Sequence, residues 1–111
     1  MDDIQEGNAL IYRFVNRHND NEKLIEWGID MYVNGKNALL SYNKSWEKMM
    51  FVISEIEKEE NIDMVMVSGK GTIIRFKKKE QEDIYFKVKK DINKIDACWK
   101  TIVEYIKQLK K

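Results

Sequence analysis

The sequence contains no proline, one cysteine and one histidine, and it has no long apolar run. A single cysteine, Cys98, excludes an internal disulfide and is typical of a reducing cytoplasm. No segment approaches the roughly 20 apolar residues of a membrane-spanning helix, so we expect no membrane partner. His18 lies in a polar loop without a second histidine or a cysteine to complete a zinc site, and we expect it to be solvated. The acidic first residues lack the basic-then-apolar order of a signal peptide.

The chain has 111 residues, of which 43% are hydrophobic and 35% charged, a composition typical of a globular protein. This length predicts one domain over residues 1–111. The net charge is +1, but residues 1–69 carry 7 basic and 13 acidic side chains, whereas residues 70–111 carry 13 basic and 6 acidic ones. The asymmetry favours either a basic face for an acidic partner or attraction between the two parts within one domain.

Three stretches carry apolar residues at helical spacing. The first runs from Ile4 to Val15. The second can be capped by Asn43 or Ser45, and its apolar face consists of Trp46, Met49, Met50, Ile53 and Ile56. In the third, Asn93 is the expected N-cap and Asp96 completes a capping box. An apolar stripe from Ile95 to Leu109 follows, and three cations lie at the favourable end of the helix dipole: Lys107, Lys110 and Lys111.

Shorter alternating stretches predict strands. Ile29, Met31 and Val33 alternate ahead of Asn34-Gly35, which predicts a weak hairpin that returns over residues 38–42. Residues 63–68, 72–77 and 84–89 are joined by short loops and predict an antiparallel meander. The expected fold is therefore α+β, with an antiparallel three- to five-stranded sheet packed by two or three helices in the order α-β-β-α-β-β-β-α.

Three segments together resemble one family of small proteins. Their sequences are NALIYRFV, SYNKSWEKMMFVISEIEK and NKIDACWKTIVEYIKQLKK. The second has a Ser-Trp-acid start that leads into a Val/Ile-rich segment, and the third has a Lys-Ile-acid-Ala start that leads into a Val-acid-aromatic-Ile-Lys run. This order of motifs resembles the phage ABA-sandwich domain family of bacteriophages and prophages.

The resemblance implies an α+β fold, a phage or prophage origin and a cytoplasmic location in an infected or lysogenic bacterium. It implies no catalytic residues, because the family has no assigned activity. The middle strands match the family only in character, and the Asn-Gly hairpin is a departure from its pattern. The role that the resemblance implies is that of a non-enzymatic accessory protein that binds a host or anti-phage-defence component.

The last two predicted strands place different chemistry on the two faces of the sheet. One set is apolar and is expected to face the helices: Thr72, Ile74, Phe76, Ile84, Phe86 and Val88. The opposite face presents Ile73, Arg75, Lys77, Tyr85, Lys87 and Lys89. Cations around an exposed aromatic ring suit a phosphate-bearing ligand or a nucleic acid, and Lys70 of the preceding loop can contact the same anion. The alternative is a solvated face on which lysines prevent edge aggregation.

Other candidate groups have simpler structural interpretations. The glycines of the segment SGKGT could place backbone amides around a phosphate, as in a phosphate-binding loop. The segment is too short for that motif and joins two strands, so we interpret it as a hairpin turn. Glu55 and Glu59 share a helix face and could serve a magnesium ion. A solvated helix end explains them more simply, and contact with the basic meander could offset their unfavourable position at a helix C-terminus.

Buried groups complete the inventory. Trp46, Met49, Met50 and Trp99 could line a ligand pocket, although packing in the core predicts the same pattern. Cys98 lies on an apolar stripe, where burial raises the pKa of a thiol and makes it inert. We therefore expect no enzyme, no cofactor and no metal. Edge strands of a small sheet can pair across a two-fold axis, so a homo-oligomer is an open alternative.

Overall fold

Four α-helices and one three-stranded antiparallel sheet make up the computed structural model, which describes residues 1–35 and 37–109. The elements are α1 (Asp3–Val15), α2 (Glu22–Asn34), α3 (Trp46–Glu57), β1 (Ile62–Ser68), β2 (Gly71–Phe76), β3 (Ile84–Lys87) and α4 (Lys94–Leu109). Two 3₁₀ turns, Ala38–Leu40 and Tyr42–Lys44, connect α2 to α3. The strands lie in the order β1-β2-β3. The α+β class and the antiparallel meander are therefore confirmed.

Side-chain caps fix the starts of the helices. Asp2 accepts a hydrogen bond from the Gln5 N–H at 2.7 Å, and the Gln5 side chain returns the contact, which completes a capping box on α1. Ser45 caps α3. Asn93 accepts from the Asp96 N–H at 2.9 Å at the start of α4. Each cap satisfies a donor that the first turn of a helix leaves unpaired, so these boundaries could be predicted from the sequence.

The predicted hairpin around Asn34-Gly35 is wrong, because residues 22–34 form a helix. Asn21 caps it by accepting from the Leu24 N–H, and Ile25 and Ile29 are buried one turn apart. Gly35 follows its last residue with φ −95°, so the glycine ends a helix instead of turning a hairpin. The observed order is α-α-α-β-β-β-α, and the described residues contain three strands, not five.

The helices cover one face of the sheet. α4 packs against β2 and β3, α3 packs against β1, and α1 lies on α4. Burial confirms the predicted inner face. Thr72, Ile74, Phe76 and Ile84 are buried there, while Phe86 and Val88 are half-buried.

α3 is rotated relative to its predicted orientation. Met49, Val52, Ile53 and Ile56 form its buried face, whereas Trp46 is 37% exposed and Met50 is 44% exposed. The interpretation of Trp46 and Met50 as interior residues is therefore wrong. Trp46 is the first residue of the helix, and the Lys94 ammonium lies 5.6 Å from its ring. Lys107 lies in the last turn of α4 as predicted, while Lys110 and Lys111 fall outside the described residues.

A buried asparagine joins α1 to three other elements. The Asn8 side chain is fully buried. Its amide nitrogen donates to the Tyr32 hydroxyl at 2.9 Å and to the Asn43 side-chain oxygen at 3.0 Å. Its oxygen accepts from the Trp99 indole N–H at 2.9 Å. This network satisfies a group that would be costly to bury alone, and it fixes α4, and with it the sheet, relative to α1.

Candidate functional site on the outer face of the sheet

The sheet face opposite the helices carries the residues that alternation assigned to it. Ile73 pairs with Tyr85 across β2 and β3, and Gly71 pairs with Lys87. Tyr85 is 49% exposed, and Arg75, Lys77, Lys87 and Lys89 are also exposed. We call this surface the outer face. A hydrogen-bonded ladder fixes the backbone positions from which these side chains project.

Three of the predicted site residues lie together, and we call them the tyrosine cluster: Lys70, Tyr85 and Lys87. The Tyr85 hydroxyl donates to the Lys70 carbonyl at 3.4 Å, and the Val88 N–H donates to the same carbonyl at 2.8 Å. These bonds hold the β1–β2 turn beside β3. Lys87 is two residues beyond Tyr85 on the same face, about 7 Å along the strand.

Gly71 makes this close approach feasible. Its φ is +154°, a backbone conformation that other residues rarely adopt. A Cβ atom at this position would lie 2.4 Å from the Phe86 carbonyl oxygen. Gly71 therefore lets β2 lie close to β3. The strands on either side of SGKGT, β1 and β2, pair antiparallel, so the hairpin interpretation of this segment is confirmed.

Arg75 belongs to a different part of the outer face. Its Nε atom lies 3.5 Å from a carboxylate oxygen of Asp83, so part of its charge is neutralised. The two side chains are partly exposed, and such pairs contribute little to stability. Arg75 is four positions beyond Gly71, the strand partner of Lys87, which corresponds to about 13 Å along the sheet. Arg75 therefore lies outside the tyrosine cluster.

Lys77 and Lys89 lie at opposite ends of the meander. Lys77 follows the last residue of β2, and its N–H donates to the Asn61 carbonyl. Lys89 lies beyond β3 and forms an isolated bridge with Ile92. The six predicted site residues thus form a band along the sheet, and only the tyrosine cluster is compact.

An apolar row crosses the outer face beside this cluster. Met66 pairs with Ile73, which pairs with Tyr85, and Met66 and Tyr85 are each about half exposed. Sequence reasoning missed the methionine. The alternation in IDMVMVS places Met64 and Met66 on the face opposite Val65 and Val67. It shows that Met66 lies beside Ile73 only when the pairing of β1 with β2 is known.

Glu55 of α3 and Glu59 just after it form salt bridges with the turn that follows α1, so the possible contact with the basic meander is not the one that these two side chains make. Arg17 contacts Glu59 at 2.9 Å and Glu55 at 3.4 Å, and it stacks on Phe14 with 4.3 Å between the guanidinium carbon and the ring centre. A hydrogen bond from Lys58 lowers the pKa of Glu55 against the effect of burial. The described residues contain no group of three or more side chains placed to bind a metal.

The other candidate groups have structural roles. His18 is exposed in the turn after α1. Cys98 is fully buried against the sheet, and burial raises the pKa of its thiol to about 11. A thiol in this state is a poor nucleophile.

A second surface feature lies between α3 and the 3₁₀ turns. It is a cleft of about 490 Å³ flanked by Leu39 and Phe51, which are 67% and 54% exposed. The Lys48 ammonium donates to the Leu39 carbonyl at 2.7 Å and fixes the turn at this edge. Sequence reasoning did not single out these residues.

Comparison with protein-family models, with curated proteins and with solved structures found no match to this chain. Of the helices in the described ranges, none combines the length and apolar character needed to cross a bilayer. The geometry of the outer face is therefore the main basis on which a function can be proposed.

Proposed function

We propose that the protein is a non-enzymatic binding module whose outer face holds a phosphate-bearing ligand, and that single-stranded nucleic acid is the partner class. The observation that carries this proposal is the tyrosine cluster: a half-exposed ring on β3, an edge strand of the sheet, with lysines on two sides. Within the described part of the chain, Lys70 and Lys87 have no salt-bridge partner, so their charges are available to a ligand.

The chemistry of the cluster matches that of a nucleotide strand. Ammonium groups attract phosphates, and a tyrosine ring on a strand can stack on a base that is not paired. One such stacking contact is worth about 1–3 kcal/mol. The net charge of +1 does not oppose this function, because a local basic surface attracts phosphate independently of the total charge. Asp83 marks the end of the favourable surface, since its carboxylate repels phosphate.

Fluorescence anisotropy with a labelled single-stranded oligonucleotide tests the proposal. The logarithm of the association constant should fall linearly with the logarithm of the salt concentration, with a slope of about −0.7 per phosphate neutralised. The double substitution Lys70→Glu/Lys87→Glu should weaken binding and flatten the slope. Tyr85→Ala should weaken binding by about 10- to 100-fold with little change of slope, because it removes stacking and no charge.

The matched control reverses two lysines elsewhere. Lys23→Glu/Lys44→Glu makes the same change of net charge at exposed positions away from the sheet. It should retain binding. Equal losses in the two double variants, or an absence of salt-dependent binding by the unaltered protein, would contradict the proposal.

A second candidate function is supported by the cleft at Leu39 and Phe51. Exposed apolar side chains at the rim of a cleft favour a protein partner over a phosphate. Together with the resemblance to the phage ABA-sandwich family, this surface supports a phage or prophage accessory protein that binds a host or defence protein. Leu39→Glu/Phe51→Glu should then abolish stoichiometric capture of one bacterial protein, while Lys70→Glu/Lys87→Glu should leave it intact. Capture that survives the first pair of substitutions, or that is absent at every salt concentration, would contradict this candidate.

A further inference from the structure

The two edges of the sheet differ in chemistry. β3 has four residues, includes Lys87 and is followed by Lys89, a combination of short length and charge that prevents edge pairing. β1 has seven residues and one charged side chain, Asp63, which lies at an irregularity of the register. The next four residues are Met-Val-Met-Val. The β1 edge is therefore open over most of its length.

One hydrogen bond shows which main-chain N–H and C=O groups of β1 point away from β2. The Val88 N–H donates to the Lys70 carbonyl, so positions 70 and 88 form a hydrogen-bonded pair. Such pairs recur at every second residue of an antiparallel ladder, so positions 72 and 74 face β3 while positions 71, 73 and 75 face β1. The β1 partners of these last positions are Ser68, Met66 and Met64. Val65 and Val67 therefore direct their N–H and C=O groups out of the sheet.

Nothing in residues 1–35 and 37–109 hydrogen-bonds to these outward groups. The side chains of Val65 and Val67 lie on the inner face and are half-buried, so the helices leave part of each uncovered. An unpaired main-chain edge bordered by uncovered valines can accept another strand.

We propose that this strand is β1 of a second copy, paired antiparallel about a two-fold axis at Val65, so that two three-stranded sheets form one six-stranded sheet. In this register Met64 lies opposite Met66 of the partner subunit, and the two Val65 residues exchange their outward hydrogen bonds.

Side-chain complementarity favours this occupant. Residues 64–67 carry no charge, and pairing centred on position 65 places the exposed Met66 of each copy against Met64 of the other. The contact forms twice, once on each side of the axis. The pairing also joins the apolar rows of the two outer faces at Met66. It does not depend on the proposed ligand.

Charge substitutions on the outer face test the register. Met64→Lys/Met66→Lys places lysines opposite each other twice across the axis and should raise the dimer dissociation constant by about tenfold or more. Sedimentation velocity over a concentration series measures this constant. Met64→Glu/Met66→Lys places opposite charges in the same positions and should restore dimerisation. Leu24→Lys/Ser54→Lys, at exposed helix positions, is the net-charge control and should dimerise like the unaltered protein.

Hydrogen exchange on the unaltered protein provides a measurement that needs no variant. The amides of Val65 and Val67 should exchange more slowly as the protein concentration rises, because only the dimer gives them acceptors. Three results would overturn the proposal: a protein that is monomeric at every concentration, a dimer in which these amides exchange freely, or a Met64→Lys/Met66→Lys variant that dimerises as tightly as the control.

Discussion

Replacing Asn8 by leucine tests how much the buried network contributes to stability. Leucine has a similar size, but it removes three hydrogen bonds and leaves the Tyr32, Asn43 and Trp99 groups without their partner. At about 0.5–1.5 kcal/mol per bond, and with partial hydration of the three half-buried partners, the free energy of unfolding should fall by about 2–4 kcal/mol. The better helix propensity of leucine offsets at most about 0.5 kcal/mol.

The assay is thermal and urea denaturation followed by circular dichroism. For a domain of this size the midpoint should fall by about 8–16 °C, at roughly 4 °C per kcal/mol. Tyr32→Phe is the second arm of a double-mutant cycle. Alone it should cost about 1 kcal/mol, and in the Asn8→Leu background almost nothing, because its bond to Asn8 is already absent. A stable Asn8→Leu variant, or additive effects of the two substitutions, would refute this account of the network.

Three further substitutions separate competing physical effects. Gly7→Ala should destabilise the protein by about 1–3 kcal/mol in a thermal melt, because the new Cβ would lie 2.3 Å from the Trp99 ring. Helix propensity alone predicts that the free energy of unfolding would rise by about 1 kcal/mol, and such a rise would contradict this account. Ser45→Ala should cost about 1 kcal/mol through loss of the α3 cap, and a neutral effect in urea denaturation would show that the cap contributes nothing. In the unfolded chain the Cys98 thiol loses its proton above its ordinary pKa of 9.0, whereas in the folded protein it keeps the proton until about pH 11. Between these two pH values the free energy of unfolding should therefore fall by about 1.4 kcal/mol per pH unit. Burial also raises the pKa of Tyr105 to about 12, which adds a loss above pH 10.0. Cys98→Ala should make the decline shallower in urea titrations at successive pH values, and an unchanged slope would contradict the assignment.

Local signals were sufficient to predict most of the fold. The caps at Ser45 and Asn93, the glycine turn before β2 and the apolar stripe of α4 are each encoded within a few residues. The inner face of the sheet was also predictable, because a slip of one residue would expose Ile74 and bury Arg75, and only one register hides the apolar set.

α2 was missed because its evidence is ambiguous over a short window. Ile29, Met31 and Val33 fit the period of a strand, and the stronger helical spacing appears only when Ile25 is included. The exposed Trp27 also obscures the amphipathic pattern of the helix.

The features of the core and of the candidate site that the sequence did not reveal depend on contacts between distant positions. The Asn8 network links positions separated by 24, 35 and 91 residues, so no local pattern announces it. The neutralisation of Arg75 by Asp83 depends on the length of the β2–β3 connection, and the apolar row depends on the alignment of Met66 with Ile73. The alternation of side chains along each strand was sufficient to predict which residues lie on the outer face. The pairing of the strands in three dimensions was needed to separate the tyrosine cluster from the other cations.

The most direct test of the outer face as the binding surface is a titration of ¹⁵N-labelled protein with a short single-stranded oligonucleotide, followed by amide chemical shifts. The proposal predicts salt-sensitive shifts centred on Lys70, Tyr85 and Lys87, with little change in α2. Shifts centred on Leu39 and Phe51, or a spectrum that does not change at low salt, would contradict it.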